Sequence, residues 1–223
     1  MLNRVQKVVQ KFDHVLLLGA LVTMVASPIW EEFVHGDLLW SEISIIMILV
    51  SGLSITYTHN TSGNYFFQYL GVGVIIITLV NNWFELGPKF SYFASYFQVG
   101  YFLFLAVTTV KIILKSKTVT SEVVINSISG YLLMGLGWSI IISVWVANFP
   151  DSFSFTQVSG DGFFNAFYYA FVTMTTLGYG DLLPLTPAAK SFSVLISVSG
   201  SFYSTIVLGM IVGKYISTQS QKQ

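Results

Sequence analysis

The chain has 223 residues, of which 54% are hydrophobic, 16% aromatic and only 9% charged. A mean hydropathy of +0.72 is too high for a soluble domain of this size and places the chain in a bilayer. Ten basic and ten acidic side chains cancel, which gives no electrostatic case for a nucleic-acid partner, and the absence of cysteine excludes disulfides, thiolate metal sites and a cysteine nucleophile.

A helix needs about 20 apolar residues to cross the hydrocarbon core, because each backbone polar group there must be satisfied within its own segment. Six stretches meet that length: Val15–Val34, Leu38–Tyr57, Tyr65–Phe84, Tyr92–Leu114, Ser127–Phe149 and Ala188–Ser217. The first, basic and then apolar up to Val25-Ala26-Ser27, has the look of a signal peptide, but its apolar run continues past the small residues. Between the fifth and sixth spans lies a shorter apolar run, Phe163–Thr176, which is too short to cross and suits a re-entrant helix.

Arg4, Lys7 and Lys11 precede the first span, Lys111 lies at the inner end of the fourth with Lys115 and Lys117 after it, and Lys214 and Lys222 are the last basic residues. Glu31, Glu32, Asp37, Glu85, Asp151, Asp161 and Asp181 fall in the opposite loops, with only Lys89 and Lys190 as basic company. Basic flanks favour the cytoplasm, so both termini are expected there, in a plasma (inner) membrane. That orientation puts the glycosylation-type triplet Asn60-Thr61-Ser62 on the cytoplasmic side, where it reads as an accident. His14, His35 and His59 lack metal-ligand spacing and are expected at solvated loop or interface positions. Glu42, near the outer end of the second span, reads as an interfacial acid.

After the re-entrant run comes Thr173-Met174-Thr175-Thr176-Leu177-Gly178-Tyr179-Gly180-Asp181. Backbone carbonyls turned toward an axis can replace an ion's water shell without placing a full charge in its path. Successive carbonyls point one way only if alternate residues adopt dihedrals that a Cβ disfavours, which accounts for Gly178 and Gly180 on either side of Tyr179. On this reading Thr176, Leu177, Gly178 and Tyr179 supply carbonyls to K+, Gly180 completes the filter, Thr176 adds its hydroxyl, and Tyr179 anchors the wall outward. Gly-Tyr-Gly-Asp by itself is also ordinary turn composition; the nonapeptide after a short apolar helix is far more specific.

The run from Phe167 to Asp181 resembles the pore helix and filter of the tetrameric potassium-channel family, of six-span voltage-gated type and prokaryotic-like. The resemblance implies an all-α membrane protein with six transmembrane helices, a re-entrant pore helix and a filter loop, assembled as a homotetramer in contact with lipid. It implies filter support from Tyr168, Tyr169, Thr173, Thr175 and Asp181, with tyrosines where the family often has two tryptophans, and Leu177 where it often has valine. It also implies a gating hinge near Gly200, twenty residues past Gly180, with a helix-packing position as the lesser alternative.

The expected organisation is a peripheral four-helix domain over 1–117, a pore domain over 118–217 and a short cytoplasmic tail over 218–223. The fourth span lacks the repeated Arg or Lys of a voltage sensor, since Lys111 is its sole basic residue between Tyr92 and Leu114. No organic cofactor is expected, and the scattered acids do not make an enzyme site. A non-selective cation channel is the nearest alternative function, and a potassium-transporter subunit a more distant one.

Overall fold

A computed structural model describes residues 2–33, 40–58, 66–84, 87–116, 118–157 and 162–220. His35, Asp37, His59, Asn60, Thr61, Ser62, Glu85, Lys117, Asp161 and Lys222 lie outside the described residues, as do the side chains of Arg4, Lys7, Lys11, Glu31, Glu32 and Glu42.

Seven α-helices are present among the described residues: α1 (Leu2–Phe33), α2 (Trp40–Thr58), α3 (Phe66–Phe84), α4 (Pro88–Lys115), α5 (Ser121–Asn148), α6 (Gly162–Met174) and α7 (Pro187–Ser220). Two 3-10 turns, Pro150–Ser152 and Ser154–Gln157, separate α5 from α6. Within α1, α4, α5 and α7 the stretches Asp13–Trp30, Lys89–Lys115, Ser121–Asn148 and Pro187–Ile216 are long and apolar enough to cross a membrane. The apolar stretches described in α2 and α3, Ile43–Ile55 and Gln68–Asn81, are shorter.

Helix ends differ from the hydropathy boundaries for local reasons. α1 begins at Leu2, because a helix former does not need to be apolar, and hydropathy detects only the part that suits lipid. α5 begins at Ser121, with extended Thr120 before it and Glu122 in its first turn, where a negative charge complements the helix dipole. α6 ends at Met174, two residues before the expected limit, since Thr176 has a φ of 60° and cannot continue the helix.

The chain divides into two compact units, one made of residues 1–113 and 121–130, the other of 114–120 and 131–223. In the first, α1 contributes Leu17, Ala20, Leu21 and Met24 to a buried interior that α2 joins with Ile48, Leu49 and Ile55, and α4 with Tyr101, Phe102 and Leu105. Burial among lipid tails earns no hydrophobic free energy, so these helices are held by close packing and by polar bonds between them. Gly52 of α2 meets the end of Leu105, with a built Cβ only 2.3 Å from Leu105 Cδ1. Polar bonds add to this: Ser54 Oγ donates to Asp13 Oδ1 at 2.7 Å and Gln98 Nε2 donates to Thr78 Oγ1 at 2.9 Å.

His14 departs from the solvated position expected of it. It is 3% exposed, and its Nε2 lies 2.9 Å from Glu122 Oε1. The first turn of α5 gives the buried imidazole a polar partner, so a histidine that hydropathy would assign to solvent is tolerated inside.

In the second unit, Ile142, Phe153, Phe155, Ala166, Tyr169, Ala170, Met174, Leu182, Ala189 and Ile196 form one buried cluster. α6 packs at its centre, and Trp138 of α5 donates its indole N–H to Ser199 Oγ of α7 at 3.0 Å. Gly200 sits where α7 meets the end of α6: a Cβ there would stand 2.4 Å from both Met174 O and Met174 Cγ. The helix runs through this position without interruption.

A side chain at this close approach forces helix against backbone carbonyl, which does not yield as a flexible side chain does. Gly200→Ala should therefore cost about 1–3 kcal/mol. Thermal unfolding in detergent should show a clearly lowered midpoint; a midpoint equal to wild type would mean that the approach has slack.

Candidate functional site

α6 ends by a specific hydrogen-bond pattern. Thr175 N–H makes the last helical bond, to Phe171 O at 2.9 Å. Thr176 N–H then turns back to Thr173 O at 3.0 Å, and Leu177 N–H reaches Val172 O at 3.0 Å. Those are the two bonds of a Schellman cap, which requires a left-handed residue at the position Thr176 occupies. Glycine is the usual choice there, and a β-branched residue with positive φ is strained.

The left-handed conformation recurs on alternate residues. Thr176, Gly178 and Gly180 have φ of 60°, 52° and 80°, while Leu177 and Tyr179 between them are not among the positive-φ residues. Gly178 N–H also donates to Val172 O, at 3.2 Å, so one carbonyl at the end of α6 holds two successive amides of the loop. With amide protons drawn toward the helix end, the loop's carbonyls are left for other partners. The C-terminal end of α6 carries the negative pole of the helix dipole, which favours a cation nearby.

Thr175 to Asp181 are all exposed within the single chain, Tyr179 at 67% and Leu177 at 54%. Tyr179 is therefore not packed against the described residues of its own chain. Thr173 contributes its carbonyl to the cap, and Thr175 Oγ1 donates to Phe171 O at 2.7 Å.

The two tyrosines of α6 hold the loop from different sides. Tyr168 OH donates to Asp181 Oδ2 at 2.7 Å, and Leu182 N–H donates to the other carboxylate oxygen at 3.0 Å. The hydrogen bond from Tyr168 holds the Asp181 carboxyl below the usual carboxylate range, and the same bond raises the Tyr168 phenol to about 12. Tyr169 is buried, edge-on to Phe153 with centroids 5.1 Å apart, and its hydroxyl lies 2.5 Å from Ser193 Oγ of α7.

Several supports carried no recognisable motif. Ser154 N–H donates to Leu183 O at 2.9 Å, Leu183 N–H to Ser154 Oγ at 2.8 Å, and Leu185 N–H to Ser152 O at 2.9 Å. Together with the antiparallel bridge between Phe153 and Pro184, these bonds lash the segment after the loop to the turns before α6. Tyr131 OH donates to Met174 O at 3.3 Å, on the same carbonyl that Gly200 approaches. One signal was available: Thr186 before Pro187 is a helix-start pattern, and Ala189 N–H does donate to Thr186 Oγ1, at 3.3 Å.

Residues 119–217 match the family described as "Ion channel". The A-type voltage-gated potassium channel KCND3 of Rattus norvegicus, and those of Homo sapiens and Oryctolagus cuniculus, are each 36% identical over 98 residues. The aligned part is 42% of this chain and 14% of each relative, so the chain spans about one seventh of the length of the curated relatives it matches. No solved structure matches the chain significantly.

The depressed Asp181 carboxyl contributes its hydrogen bond above the ordinary carboxylate range and loses it only as pH falls through the lowered value. Tyr168→Phe removes the donor and should shift the midpoint of Asp181 protonation upward, toward that of a free carboxyl. A carboxyl-carbon NMR titration of both proteins reads this directly; coincident midpoints would show that the phenol does not hold the carboxylate.

Proposed function

We propose that four copies of this chain form a potassium-selective channel, with K+ held by the carbonyls of Thr176, Leu177, Gly178 and Tyr179 and the filter closed by Gly180. The observation that carries this reading is the alternating backbone of residues 176–180, with positive φ at Thr176, Gly178 and Gly180 directly after a short capped helix. Alternation of this kind turns successive carbonyls to one side, and a file of carbonyls is what a dehydrated cation needs. The match to ion channels over residues 119–217 and the likeness to potassium channels support the same reading.

Each chain offers one such loop, exposed along its whole length, and a ring of ligands around an axis takes it from several copies. In this assembly α1 to α5 and α7 span the membrane, α6 is the re-entrant pore helix, and both termini lie on the cytoplasmic side of the plasma (inner) membrane. The 19 residues of α2 and of α3 rise about 28 Å, enough to cross with their interfacial ends included. Residues 1–117 form the peripheral domain, 118–217 the pore and 218–223 a tail. Thr176 adds its hydroxyl at the inner end of the filter; Tyr168, Tyr169, Thr173, Thr175 and Asp181 brace it. Bending of α7 at Gly200 moves its inner half while the contact with Met174 stays in place.

Purified chain should give fourfold assemblies by native mass spectrometry, and in liposomes its reversal potential should follow the potassium gradient, not the sodium gradient. Gly178→Ala and Gly180→Ala force a Cβ into a left-handed backbone and should abolish that selectivity or the flux itself. A reversal potential that ignores which cation is present would favour a non-selective cation channel, and wild-type flux through either alanine variant would refute the filter assignment.

The voltage response of the relatives is not expected here. One charge moved across 100 mV supplies ~2.3 kcal/mol, and Lys111 is the lone basic residue that α4 offers between Tyr92 and Leu114. Open probability in planar bilayers should depend only shallowly on voltage. A steep curve that Lys111→Gln abolishes would overturn this.

A further inference from the structure

The first unit holds a polar layer that conduction does not use. Asp13 is 1% exposed, with Ser54 Oγ on its Oδ1 and no partner for Oδ2 among the described residues. His14, beside it on α1, is 3% exposed and reaches across to Glu122 in the first turn of α5, a carboxylate that is 48% exposed. One turn further along α5, Asn126 is fully buried, and neither of its amide atoms has a partner among the described residues. Much of the surrounding interior is aliphatic and aromatic, so the bonds from Ser54 to Asp13 and between His14 and Glu122 are what offset burial of these groups.

We propose that His14 and Glu122 form a proton-operated clasp between α1 and the start of α5, through which opening of the channel responds to pH on the side of the Glu122 carboxylate. The inference rests on the channel reading above.

Imidazole is the side chain whose ordinary charge change falls between pH 5 and 8. When neutral, the ring donates one N–H to the carboxylate; when protonated, the same contact becomes a charge-assisted hydrogen bond between opposite charges. Among the described residues, Glu122 contacts the ring from α5, Asp13 precedes it on α1, and the neutral Ser54 hydroxyl of α2 donates to Asp13. Half-exposed Glu122 gives protons a path to a ring that has almost no solvent contact of its own. The clasped helix is continuous from Ser121 to Asn148, and it carries Tyr131, whose hydroxyl donates to Met174 O at the end of α6. A change of charge at the first turn of α5 thus acts on a helix that bonds to the base of the filter loop.

The full chain, His14→Gln and Glu122→Gln are compared by thermal unfolding in detergent and by potassium flux in liposomes, at about pH 8 and about pH 6. The heat resistance of wild type should differ between the two pH values, and its flux should change by about fivefold, the scale of one partly exposed ion pair. Both variants should lose both differences. Variants that keep the wild-type pH difference in melting would overturn the clasp, and a clasp seen in melting with flux indifferent to pH would overturn its regulatory role. Absence of flux from wild type at either pH would refute the channel reading instead, while the melting comparison would still report on the clasp.

Discussion

The carbonyl of Val172 governs the site. It accepts from Leu177 and Gly178, and two amides can converge on one oxygen at the end of a helix only if the chain reverses within a few residues. That reversal sets Thr176 in the left-handed region and sends the next residues away from α6, so the geometry of the loop follows from how the helix is capped. Each brace then acts on a different part of the reversed chain. Tyr168 ties its far end through Asp181, Tyr169 and Ser193 tie α6 to α7, and Ser152 and Ser154 tie the outgoing segment to the turns before α6. Removing one brace loosens one corner; removing the cap removes the path.

Among lipid tails a buried leucine gains nothing by leaving water, so the compactness of each unit needs another cause. Gly52 accepts the end of Leu105, and Gly200 accepts the carbonyl and side chain of Met174. Each is a missing side chain that lets two helices approach until dispersion contacts become numerous. The second approach also ties the candidate site to the packing, because Met174 is the last residue of α6 and its carbonyl takes the Tyr131 hydroxyl.

How much of this was legible depended on the range of the interaction. Long apolar runs marked α1 to α5 and α7, and the dyad of glycines around Tyr179 marked the loop, because both are signals carried by adjacent residues. The end of α6 was misjudged by two residues, since threonine at Thr176 gives no local warning of a left-handed backbone that hydrogen bonds impose. His14 was misplaced for a related reason: its partner Glu122 lies more than a hundred positions away, and a histidine at the edge of an apolar run looks solvated until that partner is known. The serines at 152, 154 and 193 were invisible because serine is common in loops and only the fold pairs them with Leu183, Leu185 and Tyr169.

Thr176 is where local stability and the needs of the site conflict. Glycine would satisfy the Schellman cap without strain, and the next two left-handed positions, at 178 and 180, do carry glycine. Threonine at the first position costs on the order of 1–3 kcal/mol of backbone strain, which the two bonds of the cap, the added Gly178 bond and the packing of α6 can sustain. What the branched residue adds is a hydroxyl beside its own carbonyl at the mouth of the helix dipole, two oxygens where glycine would present one. Strain retained at a residue whose side chain is exposed, in a loop exposed from Thr175 to Asp181, is not repaid by packing within the chain, and the proposed role of these oxygens as ion ligands would account for it.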